Sequence, residues 1–111
     1  MRTTTLLCAL VIVVGCASPP AQSRDQMDPL AAEGQFLVQV HCGDCHAYRH
    51  DDRSRHPDAP PLRTLDRNYP VSALEGGLAA GIVVGHPDMP EYRFRPEDVT
   101  AIVGYLETIQ E

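Results

Sequence analysis

The side chains most capable of chemistry in this sequence are two cysteines and a histidine within five consecutive residues. Cys42 and Cys45 lie three positions apart, and His46 follows the second cysteine directly. On a helical turn, residues three apart share one side, so both thiols can reach one edge of a flat cofactor. The adjacent imidazole can then bind a metal at its centre. Two cysteines at this spacing followed by a histidine are typical of covalent haem c attachment. Both cysteines would form thioether bonds to the haem, and His46 would be the proximal iron ligand.

Two other chemistries use a pair of cysteines at this spacing. A structural zinc site needs four ligands, and no second cysteine pair follows Cys45. A redox-active disulfide of the thioredoxin kind expects a βαβ setting, which the following sequence does not suggest. The motif therefore favours haem over both alternatives.

The N-terminus predicts an export signal over residues 1–15. Arg2 precedes an apolar run over residues 6–14, which is shorter than the about 20 residues of a membrane-spanning helix. The run ends in Val13-Val14-Gly15-Cys16, which resembles the lipobox of bacterial lipoproteins. That resemblance implies cleavage before Cys16 and lipid attachment to it. An ordinary signal peptide cut elsewhere is the alternative.

Composition predicts a tether after the export signal. Residues 16–29 are rich in Pro, Ser and Gln without an apolar period, which is typical of a flexible segment.

The formal net charge of the chain is -6, and all nine basic residues are Arg. This balance argues against nucleic acid as a partner, because phosphate binding needs a basic surface. It is equally compatible with a redox partner that presents positive charge and with an ordinary solvated surface.

End signals predict that a first helix begins at Asp28-Pro29 and runs into the cysteine motif. Asp is a good N-cap and Pro suits the first turn. Helical spacing relates Leu30, Gly34, Leu37, Val38 and His41, the last interpreted as a helix-face residue. A polar loop is predicted over residues 47–61. Its His50 and His56 lack partners at metal-ligand spacing and are interpreted as surface residues.

Two further helices are predicted in the second half. One covers residues 72–80, with Ser72 and Glu75 as a capping box. The other opens at Pro96 and carries an apolar stripe of Val99, Ile102, Val103, Leu106 and Ile109.

The stretch between these helices holds a candidate for the second iron ligand. Met89 lies in a loop that Pro87 and Pro90 stiffen. A thioether there suits an iron ligand better than a core position. His86, three residues earlier, is the competing ligand. Met27 is a poor candidate, because a flexible tether cannot hold a sulfur on iron.

Together these motifs resemble the small class I c-type cytochromes of bacteria. The resemblance covers about residues 30–111 and rests on Cys42-x-x-Cys45-His46, Pro60-Pro61-Leu62, Met89-Pro90 and Tyr105-Leu106. It implies an all-α domain over residues 30–111, with crossing N- and C-terminal helices, a third short helix and a haem in a loop-lined crevice. Gly34 and Tyr105 match the helix crossing. Met89 matches the distal ligand, and Pro60 the carbonyl that accepts from His46, with Pro61 as the near alternative.

The resemblance also implies a function. One haem c, bound by Cys42, Cys45, His46, Pro60 and Met89, would carry single electrons between redox protein partners on the periplasmic side of a bacterial membrane. A lipid on Cys16 would anchor the carrier to the inner or outer membrane. No enzymatic activity is expected. The alternatives are a haem sensor of small gaseous ligands and a haem subunit of a larger membrane oxidoreductase.

Overall fold

A computed structural model describes residues 27–81 and 88–111 of the chain. The predicted export signal, the lipid site at Cys16, most of the tether and His86 lie outside the described residues. Within them the chain is mostly helical, and no strand is assigned. The predicted all-α class is therefore confirmed for this part of the chain.

The first helix, α1, spans Pro29–Cys42 and begins where its end signals predicted. The Asp28 carboxylate accepts from the N–H groups of Leu30 at 2.9 Å and Ala31 at 3.4 Å. These N–H groups have no carbonyl partner inside the helix, so the carboxylate supplies one. The helix ends at Gly43, and its last residue, Cys42, is the first cysteine of the motif.

The last long helix, α3, spans Pro96–Thr108, and its predicted apolar stripe is buried. Pro96 occupies the first turn, where its missing N–H costs no hydrogen bond. The guanidinium of Arg95 makes two 2.9 Å bonds to Asp98, and this pairing lowers the pKa of the Asp98 carboxyl. The stripe packs against the buried face of α1.

The predicted capping box at Ser72 and Glu75 is wrong. A 3₁₀ helix covers Val71–Ala73, and α2 follows over Leu74–Ala80 with no side-chain cap. The residue in extended conformation is Pro70, and the Ala73 N–H bonds to the Pro70 carbonyl at 2.9 Å. Ser72 therefore lies inside a tight turn, whereas an N-cap residue needs an extended backbone. The helix was correctly placed but is shorter than predicted.

Another 3₁₀ helix, Leu62–Arg67, was not predicted. Leu62 and Leu65 lie three apart and are both buried, which is the spacing that aligns side chains in a 3₁₀ helix. The chain end is bound to this segment. Gln110 donates to the Leu62 carbonyl at 3.0 Å, and the Glu111 N–H donates to the Arg63 carbonyl at 3.0 Å.

The core forms where α1 meets α3. A Cβ atom added to Gly34 would overlap with the Ala101 carbonyl oxygen and lie 2.8 Å from the Tyr105 Cβ. The glycine is therefore required by the close approach of the two helices. Tyr105, Ile102, Ile109 and Val38 are the largest fully buried side chains.

Candidate cofactor site

The motif continues the last turn of α1. The Cys45 N–H and the His46 N–H both donate to the Cys42 carbonyl, at 3.1 Å and 2.9 Å. These bonds keep the chain coiled after the helix ends, so residues three and four apart remain on one side. Both cysteines and His46 consequently line a single cavity.

The cavity has a volume of about 660 Å³. Cofactor pockets span roughly 300–1,000 Å³ and are mostly apolar, so both its size and its lining suit a cofactor. The apolar wall comes from the Leu62–Arg67 3₁₀ helix, from α2, from the segment that precedes α3 and from α3 itself. Its larger apolar and aromatic side chains are Leu62, Leu65, Tyr69, Leu74, Leu78, Met89, Tyr92, Phe94, Ile102 and Leu106.

His46 is held in a fixed orientation on the cavity wall. Its ring is buried, and its Nδ1 lies 2.8 Å from the Pro60 carbonyl oxygen. A carbonyl can only accept, so the proton of this bond belongs to Nδ1. The Pro61 carbonyl accepts instead from the hydroxyl and the N–H of Thr64, at 2.9 Å and 3.1 Å. Of the two prolines considered from sequence, Pro60 is the one in contact with His46.

The loop over residues 47–61 is tied to the motif, which positions Pro60. The Leu62 N–H donates to the Ala47 carbonyl at 2.8 Å, and the His56 N–H donates to the Cys45 carbonyl at 3.1 Å. The Ser54 hydroxyl accepts from the Ala47 N–H at 3.0 Å. Sequence reasoning missed these supports, because the loop carries no apolar period and its bonds use backbone groups.

The two motif thiols are not joined by a disulfide. Burial raises the pKa of the Cys42 thiol from 9.0 to about 11. A thiol with this pKa stays protonated at neutral pH, whereas redox-active cysteines depend on a low pKa and a stable thiolate. The environment of Cys42 therefore does not favour disulfide exchange.

The structure places the other candidate ligands in different surroundings. Met89 is partly buried and lines the cavity. His50 is exposed, as expected, and lines no part of this cavity. His56 is only partly exposed, and its Nε2 lies 3.5 Å from the Asp88 carboxylate. His41 lines the cavity with its ring edge-on to Tyr92, at a centroid distance of 5.0 Å.

Carboxylates surround the polar part of the cavity. Asp44, Asp58 and Asp88 are exposed and all three belong to its lining, whereas no Arg of the described residues does. Arg55 approaches Asp44 only to 3.8 Å, with both side chains largely in water. The cavity mouth is therefore negatively charged, which stabilises positive charge on anything bound inside.

No family model matches the chain, and neither the curated proteins nor the solved structures contain a match. Among the described residues, no three His, Cys, Asp or Glu side chains are grouped closely enough to hold a metal ion. No helix in the described ranges is long and apolar enough to cross a membrane.

Proposed function

We propose that this protein is an electron carrier with one covalently attached haem c. One observation carries the proposal: Cys42, Cys45, Met89 and an imidazole already fixed by a proline carbonyl line the same apolar cavity. The proposed fold is that of a class I c-type cytochrome. The contact of Gly34 with Ala101 and Tyr105 supports it, because the resemblance places a small residue and an aromatic at that helix crossing.

The residues present fit a haem. The cavity has the size of a cofactor pocket, and its apolar wall suits a porphyrin face. Cys42 and Cys45 approach it from one side, as thioether attachment along one edge requires. The porphyrin supplies four of the iron ligands itself, so a cluster of protein ligands is not needed. The fit supports His46 and Met89 as the two remaining ligands.

Each residue has a stated role in this proposal. Cys42 and Cys45 would hold the haem through two thioether bonds, each formed by addition of a thiol S–H across one vinyl group. Pro60 accepts from His46 Nδ1–H, which holds the ring orientation and increases the donor strength of the other ring nitrogen. Met89 supplies a thioether that favours the reduced iron. When bound, the haem supplies the one-electron couple.

The proposal also includes that the protein does not convert a substrate. His46 and Met89 together would hold both iron positions that the porphyrin leaves open, so a substrate would have no place on the iron, and the proposed role is electron transfer without enzymatic activity. Cys16 would carry lipid and anchor the carrier at the periplasmic side of a bacterial membrane. Its donor and acceptor would be redox proteins.

A visible spectrum tests the proposal. The full chain is expressed in a bacterial host that has haem c maturation, and the purified protein is measured oxidised and reduced. We expect a c-type spectrum that survives acid extraction of non-covalent haem, and a thioether-to-iron band in the oxidised state. A protein that matures without bound haem would overturn the proposal.

Variants of the two ligands separate their roles. His46→Ala is expected to abolish haem incorporation, whereas the exposed control His50→Ala retains it. Met89→Ala is expected to keep haem attached and to bind added carbon monoxide rapidly when reduced, unlike the control Met27→Ala. Rapid carbon monoxide binding by the unaltered protein would favour a gas sensor instead. A six-coordinate spectrum that Met89→Ala leaves unchanged would remove Met89 from the site.

A further inference from the structure

Helix α1 has an exposed apolar face opposite the side that packs on α3. Phe36 is 64% exposed and Val40 is 52% exposed. The two residues are four apart, so their side chains are neighbours on the outer surface of the helix. Neighbouring apolar side chains left in water gain free energy when another molecule covers them.

This face adjoins the wall of the cofactor cavity. His41, which follows Val40, lines the cavity and packs edge-on against Tyr92 at 5.0 Å. Tyr92 also lines the cavity and is 40% exposed. We name Phe36, Val40 and Tyr92 the α1 patch. Val40 directly precedes His41 and Cys42, both of which line the cavity, so the α1 patch lies beside the cavity wall.

Acidic residues flank the α1 patch. Glu33 lies one turn before Phe36, and Asp44 lies one turn after Val40. Asp44 is 95% exposed, and Glu91 adjoins Tyr92 in sequence. All three carboxylates therefore remain in water around an apolar centre.

The nearby arginines do not reverse this charge. Arg93 pairs with Glu91 at 3.4 Å. Arg95 pairs with Glu97 at 3.0 Å and with Asp98 at 2.9 Å. Arg55 also approaches Asp44, at 3.8 Å. The five carboxylates named around the patch outnumber these three arginines, so its surroundings keep a net negative charge.

We propose that the α1 patch is the docking surface for a redox protein whose contact surface has an apolar centre ringed by Lys or Arg. The inference rests on the proposed function, because docking there is useful only with a redox cofactor in the cavity. The charge selects this occupant. An anionic lipid surface or a second copy of the chain would place like charges against Glu33 and Asp44.

Electron transfer from the reduced holoprotein tests the proposal. The probe is tris(phenanthroline)cobalt(III), a cation with flat apolar ligands, and ferricyanide is the anionic comparison. Oxidation is followed by stopped flow at low and high ionic strength. We expect Phe36→Ser/Val40→Ser and Glu33→Gln/Glu91→Gln each to slow the cobalt reaction by about 3–10-fold at low ionic strength, without slowing ferricyanide. The effect of the charge variant should shrink with added salt.

Matched controls distinguish the patch from general effects. Leu30→Ser removes an exposed apolar side chain from another face of α1, and Glu75→Gln/Glu107→Gln removes the same charge from α2 and α3. Neither control should slow the cobalt reaction as the patch variants do. Equal rates in patch and control variants would overturn the docking surface.

Three further results would overturn the proposal in identifiable ways. Binding to phosphatidylglycerol vesicles that Phe36→Ser/Val40→Ser abolishes would make the patch a membrane surface. A dimer in sedimentation that the same variant dissociates would make it a self-association surface. If the purified protein lacks a c-type spectrum before mixing, the proposed function itself is overturned. If the spectrum is normal but the patch variants do not change the rates, only the docking surface is overturned.

Discussion

The hydroxyl of Tyr105 links the last helix to the segment that follows the cysteine motif. It donates to the Tyr48 carbonyl at 2.5 Å across 57 residues of sequence. Tyr105 is buried between α1 and α3, and burial raises the pKa of its hydroxyl. A hydrogen bond with Gln35 acts in the opposite direction but does not outweigh burial. One side chain thus fills the core and fixes the start of the loop that carries Pro60.

Removing this hydroxyl is expected to weaken the fold without emptying the core. Tyr105→Phe keeps the ring and loses the bond to Tyr48, so the free energy of unfolding should fall by about 1 kcal/mol. Urea denaturation of the protein at pH 7 measures the change. An unchanged free energy of unfolding would show that water replaces the bond at no cost.

The same variant should alter the alkaline stability of the protein. Because the folded pKa of Tyr105 is raised, the unfolded chain loses this proton first as pH rises above about 10. The stabilisation is fully present below that pH and is lost as pH rises through the folded pKa. The free energy of unfolding should therefore fall less steeply with pH in Tyr105→Phe than in the unaltered protein. Equal slopes above pH 10 would contradict this.

At the scale of the site, sequence predicted what is local. Cys42, Cys45 and His46 are adjacent, so their shared side follows from helical geometry alone. The bonds that orient the site are not local: Pro60 reaches His46 across 14 residues, and Ser54 reaches Ala47 across seven. The resemblance named Pro60, but no periodicity in this polar loop could have identified Ser54.

At the scale of the helices, the closest contact lies between α1 and α3. Gly34→Ala should lower the free energy of unfolding by about 2 kcal/mol or more, because its Cβ meets backbone atoms of Ala101 that cannot move alone. Gly104→Ala is the matched control on α3, since a Cβ there meets no described atom within 4 Å. We expect the control to stabilise by roughly 0.5–1 kcal/mol through helix propensity. Thermal denaturation of both variants would compare them.

Helix ends offer a second test at this scale. Asp28→Ala removes the carboxylate that accepts from two N–H groups of α1 and should cost about 1 kcal/mol. Ser72→Ala should change the free energy of unfolding by less than about 0.5 kcal/mol, because no side chain caps α2. Chemical denaturation of the two variants measures both values. A larger loss for Ser72→Ala would restore the capping box that the structure replaces.

The two ends of α1 and the stripe of α3 were predictable because their signals lie within each helix. The change from a 3₁₀ helix over Val71–Ala73 to an α-helix over Leu74–Ala80 was not predictable in this way. A turn after Pro70 can close with either helical hydrogen-bond spacing, and its apolar residues Val71, Leu74 and Leu78 are compatible with both. Packing against α3 decides between them, and a single sequence does not contain that contact.

At the scale of the whole molecule, the formal net charge is -6, and part of the negative charge lies around the cavity. Asp44, Asp58 and Asp88 lie on its lining. Under the proposed function, these carboxylates stabilise the oxidised iron, which carries one more positive charge than the reduced iron. They oppose the effects of a buried site and a thioether ligand, both of which favour the reduced state.

The reduction potential measures this electrostatic contribution. Asp58→Asn should raise it by roughly 20–70 mV, the effect of one charge at about 10 Å with partial screening. Asp66→Asn is the control, because Asp66 is exposed and lies outside the cavity lining. Potentiometric titration at low and high salt would compare them, and the shift should shrink with salt. Equal shifts in both variants would show that only net charge matters.

The pairing of α1 with α3 also sets the order in which this protein can fold. The core joins the two ends of the described chain, with residues 43–95 between the helices. Closing so long a loop costs conformational entropy, and the burial of apolar side chains between the two packed helices offsets that cost. Until α3 has been synthesised, α1 has no surface against which to bury Val38. Cys42 therefore remains accessible on an open chain until the last helix arrives, and becomes partly buried only when α1 and α3 pack together.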